Sequence, residues 1–148
     1  MAVLELQVLN GDQVGLKVNV VGGTYRVIRR SAENFEVRST LVSSSQEQWR
    51  LGQEDLELAS AKLSESFAET GATMIGIDHF ERSDDVAIWD ERMSQPHAML
   101  LVDENRAMIV DMGSRNGSFV NGERVGVSDL KEGDLLRCGT TRLHVHIK

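Results

Sequence analysis

The chain has 148 residues, of which 41% are hydrophobic and 26% are charged, and its formal net charge is -7. This composition predicts one globular domain with its own core and excludes a wholly disordered chain. A single cysteine excludes an internal disulfide framework and a cysteine-based zinc site. The first residues lack the pattern of a signal peptide, and no apolar run approaches the roughly 18 residues of a membrane span. We therefore expect a cytoplasmic protein.

The negative charge is concentrated in residues 31–72, which hold eight acidic and three basic residues. The rest of the chain holds 15 acidic and 13 basic residues, so it is close to neutral. An acidic chain without a basic stripe in its sequence disfavours nonspecific nucleic-acid binding. The near-neutral part can still hold a local site for an anion.

Three strands are predicted at the start of the chain, because apolar and polar residues alternate there with a period of two. They cover residues 3–8, 16–21 and 24–30. Asn10-Gly11-Asp12 and Gly22-Gly23 supply the residues that turns require between them.

An α-helix is predicted over residues 46–68. Trp49, Leu56, Leu63 and Phe67 fall on one face at helical spacing. The serines at 43–45 supply an N-cap, and a glycine at 71 is a stop signal. This apolar face either packs back on the strands, which we favour, or stays exposed as an interface for a homodimer or another partner.

Strand signals return after the helix, with short apolar runs separated by polar turns. The predicted strands are 73–77, 85–89, 98–102, 107–112, 118–120, 135–139 and 142–147. Short strands at this spacing predict an antiparallel sandwich or barrel.

The C-terminal half also carries an ordered set of short motifs. They are Ser94-Gln95-Pro96-His97-Ala98, Ser114-Arg115-Asn116-Gly117, Asn121-Gly122 and Leu130-Lys131-Glu132-Gly133-Asp134. Each motif is weak alone, but their order and spacing resemble the forkhead-associated (FHA) domain. The resemblance covers residues 1–30 and 73–148, and the chain is similar to stand-alone bacterial-type members of the family. The acidic segment 31–72 lies outside the resemblance and is an unusual helical insert.

The resemblance implies a single all-β domain over residues 1–148, a sandwich of about eleven strands that here holds one inserted helix. It also implies an adaptor in Ser/Thr kinase signalling, whose loops at one end of the sandwich bind phosphothreonine peptides. The expected partners are a phosphothreonine-containing protein and an upstream Ser/Thr kinase. No nucleic acid, membrane, cofactor, metal or catalytic residue is expected.

The resemblance also assigns roles to particular residues. Ser94 would donate to the phosphate, and Asn116 would hold the main chain of the ligand. The expected phosphopeptide-binding set is Arg29, Arg30, Ser94, Gln95, Arg115 and Asn116. The expected structural support of this site is His97, Gly117 and Asn121.

Two segments compete for the arginine that grips the phosphate, which in the family follows a glycine at the end of the third strand. Residues 25–31 offer Arg29 or Arg30, with Ile28 replacing the glycine. Residues 74–78 keep the glycine, but Ile77 replaces the arginine. The first alternative, which we slightly favour, preserves phosphate binding. The second favours a phospho-independent scaffold or oligomerisation protein that uses the inserted acidic helix.

Overall fold

The computed structural model of the protein describes residues 3–31, 51–70, 77, 80–103 and 106–148, with the side chains of 66–70 left out. Helix α1 spans Gln53–Thr70. The strands are β1 Val3–Val8, β2 Lys17–Val21, β3 Thr24–Arg30, β4 Glu81–Arg82, β5 Val86–Ile88, β6 Ala98–Val102, β7 Ala107–Asp111, β8 Ser118–Val120, β9 Glu123–Val125, β10 Val127–Leu130, β11 Leu135–Cys138 and β12 Thr141–Ile147. No helix in these ranges is long and apolar enough to cross a membrane.

The strands form two sheets that pack face to face. Sheet A has the order β2-β1-β12-β11-β8-β9, and sheet B has the order β10-β7-β6-β3-β4, with β5 also paired to β3. Every pairing in sheet A is antiparallel. The prediction of a β-sandwich with one helix is therefore confirmed, with twelve strands in the described ranges rather than eleven.

The inserted segment occupies the one parallel crossover in the described sheets. Strand β3 runs parallel to both β4 and β5, with Thr24 opposite Glu81 and Ile28 opposite Val86. Parallel neighbours cannot be joined by a tight hairpin and need a long connection. Residues 31–80 provide this connection, and α1 lies within it.

Sheet B is a middle layer with an apolar surface on both sides. All five residues of β6, and all five of β7, are buried. One side contributes Leu100 and Ile109 to the core between the sheets. The other side contributes residues such as Met99 and Val110 to a second core, which α1 covers with Ala59 and Leu63. The continuous apolar runs in the sequence reflect this burial on both faces.

The helix begins later than the sequence predicted. Gly52 is not helical, its carbonyl accepts from the N–H of Leu56 at 3.2 Å, and its own N–H donates to Asp55 Oδ2 at 3.0 Å. Gly52 is therefore the N-cap, and Asp55 satisfies a backbone donor that the first turn leaves free. The predicted start at residues 46–50 lies outside the described residues, and the helix ends at Thr70 rather than at 68.

The apolar face of the helix packs on sheet B. Leu63 and Ala59 are buried there, and Leu56 is partly buried against the same core. Trp49 and the side chain of Phe67, the other members of the predicted face, lie outside the described residues.

Some of the predicted strands need correction. The predicted strand 73–77 lies outside the described residues except for Ile77, which is in a short 3₁₀ turn closed by the Phe80 N–H at 3.1 Å. Strands β4, β9 and β10 were not predicted. They are two to four residues long and contain charged residues, so hydrophobic alternation does not reveal them.

The packing of α1 predicts unequal effects of two leucine truncations on the same helix. Leu63→Ala removes a side chain that is 3% exposed and should lower the free energy of unfolding by about 2–4 kcal/mol. Leu58→Ala, at a side chain that is 37% exposed, should cost much less. Urea denaturation of both variants measures the difference, and equal small losses would contradict the docking of α1.

Candidate functional site

A cleft of about 230 Å³ opens at one end of the sandwich, where the segments after β3, β5 and β7 meet. Its lining residues are Arg30, Glu91, Arg92, Met93, Ser94, Gln95, Arg115 and Asn116. Five of the six residues in the predicted binding set therefore line one cleft. The sixth, Arg29, is not among the described lining residues.

The two neighbouring arginines of β3 have different environments. Arg30 is exposed at the end of the strand, where its N–H donates to the carbonyl of Ser94 at 3.0 Å. Arg29 is 5% exposed, and its Nε donates to Asp85 Oδ2 at 2.9 Å. Arg82 bonds to the same carboxylate at 2.8 Å. The structure therefore disfavours the predicted role of Arg29 as a phosphate ligand, because its guanidinium is buried in an ion pair. Arg30 is the candidate that remains. Ile77, the competing position, packs against the core under α1.

Ser94 joins two walls of the cleft. Its Oγ accepts a hydrogen bond from the backbone N–H of Arg115 at 3.0 Å. A serine hydroxyl that accepts one bond still has its own hydrogen to donate. Ser94 therefore offers a hydroxyl donor at a fixed position in the cleft.

Asn116 is held by the opposite wall. Its Nδ2 donates to the carbonyl of Arg92 at 2.8 Å. This bond orients the amide and leaves its carbonyl oxygen to accept from a ligand N–H. The arrangement suits a residue that holds the main chain of an extended peptide.

His97 lies beneath the cleft, fully buried, and connects its two sides. Its Nδ1 accepts from the backbone N–H of Ser94 at 3.0 Å, and its Nε2 lies 2.9 Å from the carbonyl of Gly117. These partners require the neutral tautomer with hydrogen on Nε2. Burial lowers the pKa of His97, and this effect outweighs the opposing ones of the Gly117 carbonyl and of Asp111 and Asp90.

Asp90 fixes the segment that leads to Ser94. It accepts from the Arg92 N–H, the Thr140 N–H and the Thr141 hydroxyl at 2.7–2.9 Å. Burial opposes ionisation of Asp90, but these hydrogen bonds outweigh it and hold its pKa below the usual value. Gly139 allows this contact, since a Cβ there would lie 2.8 Å from Asp90 Oδ2 and 2.9 Å from the Met93 nitrogen.

Asp111 organises the other wall of the cleft. Its Oδ2 accepts from the backbone N–H of Gly113 and of Ser114, both at 3.1 Å. Its Oδ1 accepts from the hydroxyls of Ser114 and Ser118. The loop that carries Arg115 and Asn116 is therefore folded around one carboxylate.

Helix α1 reaches the same carboxylate. Lys62 Nζ donates to the Asp111 carbonyl at 2.6 Å and lies 3.7 Å from Asp111 Oδ2. Because Asp111 holds the loop next to the cleft, Lys62 links the inserted helix to the site, and Met112 packs in the same core as Ala59 and Leu63 of the helix.

Asn121 does not support the cleft, contrary to the prediction. It follows β8 at the end away from Gly117, with a φ of 51°, and its side chain bonds to Asp134 and to the N–H of Leu135. It therefore stabilises the turn between β8 and β9. Gly117, by contrast, contacts His97 as described above.

The supporting residues Asp90, Asp111, Gly139 and Lys62 were not predicted as part of the site. Asp111, followed by Gly113 and Ser114, carried a usable signal, because a short acidic side chain before such residues folds turns by accepting backbone N–H bonds. Lys62 and Gly139 had no such signal, since their contacts depend on how distant segments pack.

The cleft is electropositive. Arg30, Arg92 and Arg115 line it together with one carboxylate, Glu91. The described residues include no ion pair to any of these three arginines. The described ranges also include no group of three or more metal-ligating side chains. The cleft therefore suits an anionic ligand.

A larger cavity of about 410 Å³ lies between α1 and sheet B. Its described lining is Tyr25, Gln53, Leu56, Glu57, Ser60, Ile77 and Phe80. No cationic side chain is in this set, so the cavity does not offer the donors that a phosphate requires.

Comparisons with known proteins find relatives in sequence and in fold. The family model of the FHA domain matches residues 73–139. The glycogen accumulation regulator GarA of Mycobacterium tuberculosis is 37% identical over 59 residues, which are 40% of this chain and 36% of that protein. The match thus spans about a third of the length of this curated relative.

Solved structures share the fold. The FHA domain of the CT664 protein from Chlamydia trachomatis has a TM-score of 0.58 at 16% identity, covering 97% of this chain and 96% of that chain. EmbR of Mycobacterium tuberculosis, in complex with a low-affinity phosphopeptide, has a TM-score of 0.52 at 16% identity, covering 97% of this chain and 24% of that chain. Residues 73–139 therefore match the FHA family, and the described chain has the fold of solved FHA domains.

The environment of His97 predicts an abnormal titration. Its folded pKa lies below the usual value, so its contribution to stability is present above pH 6.5 and is lost as the pH falls from there through the folded pKa. Nitrogen NMR across a pH titration should place the protonation midpoint of His97 below pH 6.5, with the hydrogen of the neutral ring on Nε2. Half-protonation of His97 at pH 6.5 or above would contradict the two bonds.

Two glycines with positive φ should respond differently to alanine. Gly133→Ala meets no atom within 4 Å and should cost only the strain of the left-handed conformation, about 1–2 kcal/mol. Gly139→Ala adds contacts below 3.0 Å with the segment 90–93 and should cost at least about 1 kcal/mol more in unfolding free energy. Equal losses in urea denaturation would contradict the close packing at Gly139.

Proposed function

We propose that this protein is a phosphothreonine-peptide-binding adaptor in Ser/Thr kinase signalling. One observation carries the proposal: Arg30, Ser94 and Asn116, from three separate segments, line a single electropositive cleft. A phosphothreonine carries a charge between -1.5 and -2 at neutral pH and has three strong acceptor oxygens. The cleft offers the charge and the donors that such a group requires.

Each residue of the cleft has a proposed role. Arg30 forms charge-assisted hydrogen bonds to the phosphate, and the Ser94 hydroxyl donates to it. The Asn116 amide holds the peptide main chain. Gln95 and Arg115 contact the residues that flank the phosphothreonine. His97 and Gly117 keep the two loops in register.

The relatives support this reading. EmbR, a chain that contains this fold, forms a complex with a phosphopeptide, and GarA is a regulator of glycogen accumulation. We propose by analogy that the partners of this protein are a phosphothreonine-containing protein and a kinase that phosphorylates it. The function proposed is binding, in the cytoplasm, and not catalysis.

We also propose that residues 1–148 form one domain and that residues 31–72 are an insert in it. Sheet A is built from both ends of the chain, and β3 joins sheet B to segments that follow the insert. The alternative function, a scaffold that uses an exposed apolar face of the helix, receives no support from the described residues. Ala59 and Leu63 on that face are buried against sheet B.

Two adjacent arginines provide a matched test of the proposal. Arg30→Gln should weaken binding to a degenerate phosphothreonine peptide library by at least about tenfold and leave the unfolding free energy nearly unchanged, because Arg30 is exposed. Arg29→Gln should do the reverse, because it leaves a nearly buried carboxylate, Asp85, with one partner fewer.

Fluorescence anisotropy and urea denaturation measure the two quantities. The unphosphorylated library is the control and should not bind. If the folded wild-type protein binds neither library, or if only Arg29→Gln abolishes binding, the proposed function or its assignment to Arg30 is wrong.

A further inference from the structure

A row of arginines crosses the outer face of sheet A. In the register of the sheet, Arg124 lies opposite Phe119, Phe119 opposite Arg137, and Arg137 opposite Arg142. Directly opposed residues in antiparallel strands project from the same face. The sequence neighbours of Phe119, Arg137 and Arg142 are mostly buried in the core, so this row projects outward. We call Arg124, Phe119, Arg137 and Arg142 the arginine row.

The arginine row is exposed, and none of the described carboxylates forms an ion pair with it. All three arginines are exposed, and no ion pair to any of them is present in the described part of the chain. Two carboxylates near this face, Glu5 and Glu132, are instead bonded to Lys148 and His146. Three arginines in one row, without an ion-pair partner among the described residues, are unexpected in a chain whose formal net charge is -7.

Phe119 orders the centre of the row. The guanidinium carbon of Arg137 lies 4.2 Å from the centroid of the Phe119 ring. This cation–π contact holds the long Arg137 side chain against the sheet. A pre-ordered guanidinium loses less entropy when it binds a carboxylate.

The row is continuous with the cleft. Arg124 lies across Gly117, since a Cβ on Gly117 would be 2.8 Å from Arg124 Nε. Gly117 directly follows Asn116, which lines the cleft. Neighbouring strands are about 4.8 Å apart, so the row from Arg124 to Arg142 spans about 14 Å, the length of about four extended residues.

We propose that the arginine row is a second contact surface, which binds an acidic segment of the same phosphoprotein whose phosphothreonine occupies the cleft. The proposal rests on the proposed function of the cleft. The occupant follows from charge complementarity and from continuity: a chain that leaves the cleft beside Asn116 meets Arg124 first and then Arg137 and Arg142. Carboxylates at about three to six residues from the phosphothreonine can reach the row.

The test uses phosphothreonine peptide pools that carry either four glutamates or four glutamines at these positions, on the N-terminal or the C-terminal side. One glutamate pool should bind about tenfold more tightly than its glutamine counterpart at 50 mM salt, because three exposed ion pairs together contribute about that much binding free energy. This advantage should decrease strongly at 0.5 M salt, where exposed charges are screened.

Variants assign the effect to the row. Arg137→Gln with Arg142→Gln should remove most of the advantage and leave the affinity for the glutamine pool unchanged. Arg106→Gln with Lys131→Gln is a control for net charge, because it removes two cations at the end of the sandwich where Leu130 lies opposite Ala107, away from the cleft. Arg106 is paired with Asp129, so the folded state of this variant is checked by urea denaturation, and the variant should retain the advantage.

The outcomes separate the two proposals. If glutamate and glutamine pools bind equally well, the arginine row is not a contact surface and the phosphothreonine site stands. If the advantage survives in the Arg137/Arg142 variant, or disappears equally in the control, the assignment to the row is overturned. If no phosphorylated pool binds the folded protein, the proposed function of the cleft fails first.

Discussion

The site depends on one buried carboxylate, Asp111, at the end of β7. It accepts four hydrogen bonds from Gly113, Ser114 and Ser118, and these bonds fold the loop that carries Arg115 and Asn116. A carboxylate removed from water is tolerated only when its lone pairs are satisfied. The loop can therefore not leave this conformation without leaving a buried charge unsatisfied. On the opposite wall, the hydrogen bonds of His97 and Asp90 hold the segment that carries Ser94 in the same way. The cleft is therefore ordered before any ligand binds.

The same carboxylate connects the insert to the recognition loop. Sheet B is apolar on both faces, and an uncovered outer face would expose residues such as Met99 and Val110. Helix α1 covers that face, and its Lys62 reaches Asp111 at the edge. An insertion in the crossover between β3 and β4 is thus accommodated because it completes a third layer. Lys62 and the packing of Met112 in the core under the helix therefore link the position of the recognition loop to the packing of the helix.

The sequence predicted the sandwich and most of its strands, because alternation and turn residues are local signals. It also predicted four residues of the cleft, Ser94, Gln95, Arg115 and Asn116, because the motifs that carry them resemble the FHA family in order and spacing. Local patterns did not predict which of Arg29 and Arg30 faces the cleft. The answer depends on Asp85, 56 residues away, which pairs with Arg29. The arginine row could not be predicted from local patterns for the same reason. Arg124, Arg137 and Arg142 are separated in the sequence and lie in one row only through the register of sheet A.

The most direct test of this account is an NMR titration that follows backbone amides and arginine Nε–H groups as a phosphothreonine peptide pool is added. We expect shifts for the Arg30 side chain and for the amides of Arg115 and Asn116. We expect no change for the Arg29 Nε–H, which donates to Asp85. An unphosphorylated pool should leave all of these signals in place. Shifts centred on Arg29 and Asp85, or identical shifts with both pools, would contradict a phosphothreonine site in this cleft.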